Sequence, residues 1–116
     1  MKYIRVGWKH RHPEDPVLLY SELDADGWEL RKVDVFEDGR LQYAHEEEAT
    51  GDTDLAELPI PSLAELADDP QFDPVEITRA EFERLWDQRK ADRVTGHALD
   101  TLAQINRVIQ TMFGER

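Results

Sequence analysis

With 116 residues, 40% of them apolar and 34% charged, the chain has the length and composition of one folded domain with a modest core. It contains no cysteine, which excludes disulfides and thiolate metal sites, and its net charge of −12 argues against general affinity for nucleic-acid backbones or anionic lipid surfaces. Nothing in MKYIRVGWKH resembles a signal-peptide core and no later stretch is apolar enough to span a bilayer, so a cytoplasmic protein is expected.

Tyr3 to His10 alternates, with Ile4, Val6 and Trp8 on one side and Tyr3, Arg5, Gly7 and Lys9 on the other, which predicts a half-buried strand. The prolines of HRHPEDP break it. Val17 to Leu23 predicts a second strand, apolar enough to be central. Asp24-Ala25-Asp26-Gly27 is turn chemistry, and Trp28 to Phe36 predicts a third strand.

Glu37-Asp38-Gly39 allows two hairpin registers. A two-residue Asp38-Gly39 loop would set Asp34 across from Tyr43. A three-residue loop with Gly39 in the left-handed conformation pairs Phe36 with Arg40 and gathers Val33, Val35, Leu41 and Tyr43 on one face. The second is expected, because a one-residue slip would turn that apolar set to solvent. Trp28 and Leu30 then lie on the opposite parity, so either a bulge near Arg31 and Lys32 resets the phase or both sheet faces are partly covered.

After His45 the polar run EEEATGDTDLAELPIP reads as a loop. Ser62-Leu63-Ala64-Glu65 is a capping box that starts a short helix, ended by Asp69-Pro70. Thr78-Arg79-Ala80-Glu81 is a second box, followed by Phe82, Leu85 and Trp86 on one helical face. Gly96 interrupts, and His97 to Phe113 predicts a last helix with Ala98, Leu102, Ile105, Ile109 and Met112 on one stripe.

Charge is distributed unevenly. Residues 21–78 hold eighteen Asp and Glu against three Lys and Arg, and between Leu41 and Thr78 there are eleven carboxylates with no Lys or Arg. Such a run is most simply a solvated face that keeps the protein soluble. As a recognition surface it would attract a cationic partner, with Leu55, Leu58, Ile60 and Leu63 as apolar anchors. Docking through the run requires its acids to face outward as one surface.

The wording Tyr3-Ile4-Arg5-Val6, Trp8-Lys9-His10, Leu19-Tyr20-Ser21-Glu22-Leu23, Trp28-Glu29-Leu30-Arg31-Lys32-Val33 and Val35-Phe36-Glu37-Asp38-Gly39-Arg40 resembles an uncharacterised family of small bacterial domains. Pro59-Ile60-Pro61-Ser62-Leu63, Phe72-Asp73-Pro74 and Ile77-Thr78-Arg79-Ala80-Glu81-Phe82 resemble its second half, so the likeness covers roughly the first three quarters of the chain. It implies no activity and no site residue. The Glu46-Glu47-Glu48 loop and the extension after Trp86 stand apart from it.

Catalytic kits are missing. His10 and His12 have a metal-ligand spacing, but no third ligand follows at a diagnostic distance, and Pro13 ends the strand there; a polar strand end is the plainer account. Among the serines, Ser62 is a cap and Ser21 lies in a strand without a nucleophile-elbow frame. No glycine-rich phosphate loop occurs. With twenty-six Asp and Glu, a suitably spaced carboxylate pair arises by accident. Trp8, Trp28 and Trp86 are expected to supply core area rather than a stacking platform.

The expected structure is a single α+β domain over residues 1–116: an antiparallel meander of about four strands in 1–45, an acidic loop with a short helix in 46–77, and C-terminal helices in 78–116, giving two or three helices packed on the sheet. The expected function is non-enzymatic and needs no cofactor or metal. It is binding of a basic protein, such as a toxin neutralised by its immunity protein, through Glu46, Glu47, Glu48, Asp52, Asp54, Glu57, Asp68 and Asp69. Nucleic acid and membrane are not expected partners. The alternative is a homodimeric structural or regulatory domain joined through Leu102, Ile105, Ile109 and Met112.

Overall fold

Residues 1–51 and 53–90 are described by a computed structural model. Asp52, Gly96 and the proposed dimer stripe of Leu102, Ile105, Ile109 and Met112 lie outside the described residues. The protein is α+β, but the sheet has six strands where about four were expected. β1 (Lys2–Trp8), β2 (Leu18–Leu23), β3 (Glu29–Val35) and β4 (Leu41–His45) form the anticipated meander. β5 (Glu48–Ala49) continues it past β4, and β6 (Phe72–Ile77) adds to the free side of β1, giving the order β5-β4-β3-β2-β1-β6 with every pair antiparallel. Helix α1 (Leu63–Ala67) precedes β6 and α2 (Arg79–Trp86) follows it, so the acidic 46–77 segment contributes two strands rather than a loop and helix alone.

The β3–β4 hairpin adopts the three-residue loop. Phe36 N–H donates to the Arg40 carbonyl (2.9 Å), Gly39 N–H donates to the Phe36 carbonyl (2.8 Å), and Gly39 takes φ of 88°. Val33 faces Tyr43 and Val35 faces Leu41. Both remedies for the Trp28 and Leu30 phase problem are used. Glu22 pairs with Arg31 and Leu23 with Glu29, leaving Leu30 as the extra residue of a bulge.

Each face of the sheet also carries a core. On one, Tyr3, Leu18, Tyr20, Val33, Val35, Leu41 and Tyr43 pack with Phe82, Leu85 and Trp86 of α2. On the other, Ile4, Val6 and Leu23 are covered by Ile60, Leu63 and Leu66, with Leu19 and Phe72 alongside.

β6 tolerates Pro74 for a geometric reason. Trp8 N–H donates to Val17 on the β2 side (2.9 Å) and Lys9 N–H to Gln71 on the β6 side (2.8 Å), so odd-numbered residues of β1 turn their polar groups toward β6. With Gly7 opposite Asp73 and Arg5 opposite Val75, the bonding groups of residues 73, 75 and 77 point inward and those of 72, 74 and 76 outward. Pro74 therefore lacks a donor only on the outer edge, while Phe72 N–H is satisfied by the Asp69 carbonyl (3.0 Å).

Both helices begin at their expected caps. Ser62 and Glu65 form the full reciprocal box. At α2, Thr78 Oγ1 accepts from Glu81 N–H (3.1 Å), but the Glu81 carboxylate accepts from Arg5 Nη1 instead (2.7 Å), joining the helix to β1. The second box is therefore half-formed, its acid spent on a tertiary ion pair.

Candidate docking surface

The acids that are continuous in sequence do not remain together in space. Glu46 and Glu47 form the turn between β4 and β5, Glu48 lies in β5, and all three are exposed at one edge of the sheet. Asp68 and Asp69 end α1 beside β6, at the opposite edge, five strand spacings or about 24 Å away. Asp69 is committed locally: its two oxygens accept from Gln71 N–H and Gln71 Nε2, each at 3.1 Å, and shape the α1–β6 turn. Asp54 and Glu57 are exposed on the segment that crosses the sheet face between the two edges.

That crossing segment is fastened at three points. Thr53 Oγ1 lies 2.9 Å from Asp34 Oδ2 and 3.0 Å from Gln42 Oε1; Ala56 N–H donates to Glu29 Oε1 (2.8 Å); Ile60 N–H donates to the Gly27 carbonyl (2.9 Å). Leu63 and Leu66 then enter the second core. Beneath it are two buried carboxylates, Glu29 and Asp34. Ser21 Oγ donates to Glu29 Oε2 (2.6 Å), and Lys32 Nζ stands 3.9 Å from both acids. Asp34 Oδ1 is buried without a hydrogen bond. Burial raises the Asp34 carboxyl above the ordinary aspartate range, against the opposing pull of Lys32 and Thr53. A cavity of about 340 Å³ beside it is lined by Glu14, Asp15, Arg40, Gln42 and Thr53 as well as Asp34. Nothing in the alternation of Lys32-Val33-Asp34-Val35 marked these acids as buried, because the cover over their face comes from a segment read as loop.

The other face carries a closed ionic cluster. Arg31 donates from Nε and Nη2 to Glu22 (2.7 and 2.9 Å) and from Nη1 and Nη2 to Glu83 (3.2 and 2.7 Å). Its guanidinium lies 4.9 Å from the ring centres of both Phe82 and Trp86. Tyr3 donates its hydroxyl to Glu22 (2.8 Å). Arg31 holds the Glu22 and Glu83 carboxyls below the usual glutamate range, and burial first, then Glu22, pushes the Tyr3 hydroxyl up. Its groups satisfy one another, and they tie α2 to the sheet.

His10 and His12 meet at the strand end, their rings 5.7 Å apart. His10 Nε2 lies 2.7 Å from the Pro16 carbonyl and Nδ1 lies 3.0 Å from His12 N, so both ring nitrogens are engaged by the backbone. Among the described residues no three His, Asp or Glu side chains gather closely enough to hold a metal ion. Among them, too, no helix is long and apolar enough to cross a membrane.

Two apolar expectations are corrected. Of the four anchors, Ile60 and Leu63 are used by the second core and Leu55 is half-buried, leaving Leu58 at 73% exposure. Trp86 is in the core and Trp8 is half-buried with Nε1 on Gln71 (2.8 Å), but Trp28 is 43% exposed. It follows the Asp24 turn, where Asp24 Oδ1 accepts from both Asp26 N–H and Trp28 N–H, and this local tether holds Trp28 at the sheet's end.

Searches of curated proteins and of solved structures gave no match. The model of a domain of unknown function, DUF6881, matches residues 2–91, a span that takes in the six strands and two helices of the described residues, and the chain belongs to that family.

Proposed function

We propose that this is a small acidic protein-binding domain of the cytoplasm that docks onto a basic protein, in its most concrete form an immunity protein that neutralises a toxin. The observation that carries the proposal is the exposed set Glu46, Glu47, Glu48, Asp54 and Glu57, within a stretch from Leu41 to Thr78 that holds no Lys or Arg. Uncompensated carboxylates raise local negative potential, which speeds encounter with a cation-rich surface and disfavours acidic competitors. Asp68 and Asp69, at the far edge, are left out of this surface.

The test takes as candidates the basic proteins encoded beside its gene and measures association by stopped flow at several salt concentrations. Micromolar or tighter binding, with an association rate that falls steeply with salt, is expected. Glu46→Lys, Glu47→Lys and Glu48→Lys together should slow association and flatten the salt dependence while folding is retained; reversing Asp68 and Asp73 should do much less. Equal effects of the two sets would refute the assignment of the surface.

A further inference from the structure

We propose that the cavity walled by Asp34, Gln42 and Thr53 is a socket for a guanidinium group, and that its occupant is an arginine side chain of the basic partner. The inference deepens the reading that the partner is basic and rests on it.

The inner end of the cavity is short of positive charge. Glu29 and Asp34 are both buried, and the cation between them is Lys32, whose Nζ stands 3.9 Å from each, too far for a hydrogen bond. Glu29 is served by other donors, Ser21 Oγ at 2.6 Å on one oxygen and Ala56 N–H at 2.8 Å on the other. Asp34 is not. Its side chain is 8% exposed and Oδ1 has no donor, while Oδ2 shares the Thr53 hydroxyl with Gln42 Oε1. A hydroxyl carries one proton, so a second acceptor here goes unmet as well. Burying a carboxylate in this condition is costly unless a charged donor reaches it.

The cavity gives such a donor a way in. It holds about 340 Å³, at the small end of ligand-holding clefts, and runs from buried Asp34 and Thr53 to exposed Glu14 and Arg40. Glu14 and half-buried Asp15 add two carboxylates to its wall, and among the described residues Arg40 is the one cation in it. Arg40 is already engaged, with Nε 3.5 Å from Asp38 and its guanidinium 4.4 Å from the ring centre of Phe36. Guanidinium fits better than ammonium: its flat fork offers several donors at once, and its weaker hydration makes it cheaper to bring out of water. The socket also lies on the side of the sheet that bears Glu46, Glu47 and Glu48, since Gln42 belongs to β4 and the chain reaches Thr53 from β5.

The probes are two fluorescein-labelled lysine–glycine heptapeptides, one with a central arginine and one with citrulline, its neutral counterpart of the same shape, titrated by anisotropy into the full chain. The arginine peptide is expected to bind at least about tenfold more tightly. Asp34→Asn, which keeps the shape and removes the charge, should erase that preference. If Asp34→Asn fails to fold, Glu14→Gln with Asp15→Asn decides, and should reduce the preference at least about threefold. Glu46, Glu47 and Glu48 reversed to Lys should weaken both peptides and preserve it. Equal binding of the two peptides, the outcome if a proton already sits on Asp34, overturns the socket and leaves the basic partner standing; so does a preference that these substitutions at the cavity do not touch. Binding of neither peptide also overturns the socket, while stopped flow judges the acidic surface separately. Acetyl-arginine-amide gives the remaining arm and should bind more weakly than the arginine peptide; equal or tighter binding would make the occupant a small free molecule and overturn the partner's side chain.

Discussion

Replacing Arg31 by alanine tests how α2 is held to the sheet. The side chain of Arg31 is 20% exposed and that of Glu22 11%, so the pair is largely shielded from water, whereas Glu83 at 32% is partly screened. Two charge-assisted bonds to Glu22 are worth roughly 1.5–3 kcal/mol each before the cost of desolvation. The Glu83 pair adds less than about 1 kcal/mol. Stacking over Phe82 and Trp86 adds about 1 kcal/mol. Desolvation cancels part of this sum, and breaking a buried pair by removing one partner typically costs about 3–5 kcal/mol because the other charge is stranded. With Arg31 partly exposed, the low end applies: Arg31→Ala should destabilise by about 3 kcal/mol, a large fraction of the ~5–15 kcal/mol of a typical domain. Urea unfolding followed by far-UV circular dichroism gives the number, with an unchanged slope showing that the loss is one of stability. Adding Glu22→Gln to Arg31→Ala should recover part of the loss by removing the stranded carboxylate. Because Arg31 lowers the Glu22 and Glu83 carboxyls in the folded state, the wild type should lose stability as pH falls through and below the usual glutamate range, and Arg31→Ala should lose less over that window. A cost under about 1 kcal/mol, or an unchanged acid limb, would refute the clamp.

Asp34 should behave with the opposite sign. Its carboxyl is raised on folding, so the folded state binds the proton more tightly and stability falls as pH rises from the ordinary aspartate range through the folded value. Asp34→Asn, able to keep the Thr53 bond, should remove that decline, which denaturation across the acid range would reveal. Gly39→Ala places a Cβ on a residue with φ of 88° and should cost about 1–2 kcal/mol by urea unfolding. Ser62→Ala removes the acceptor for Glu65 N–H and should cost about 1 kcal/mol, read as a lowered thermal midpoint.

The meander was legible because its signals agree with one another. Alternation over Tyr3–Trp8 and Val33–Val35 gives strands, and Gly39 with the Val35–Leu41 pairing leaves one register that keeps the apolar set together. β5 and β6 were not legible for two different reasons. β5 is two residues long and wholly polar or small, so it has no period to read. β6 carries Pro74 and two exposed acids, features that count against a strand unless it is known to be an edge.

Missing β6 hid the division of the acidic run, since only a strand on the far side of β1 requires residues 53–66 to cross the whole face. The same omission hid the cover over Asp34 and Glu29, which are buried. Trp28 was misplaced because large aromatics are most often core, whereas the Asp24 turn fixes this one beyond the apolar face of its own strand.

The ends of the sheet limit how this protein can meet another molecule. One border is a strand of two residues, and the other is β6, where Pro74 removes an outward donor and Phe72 N–H is already taken by Asp69. Among the described residues neither border offers a long template for an incoming strand, which disfavours strand addition. Short or proline-interrupted borders of this kind disfavour edge-to-edge pairing between copies, and a change of Pro74 to valine should weaken that safeguard.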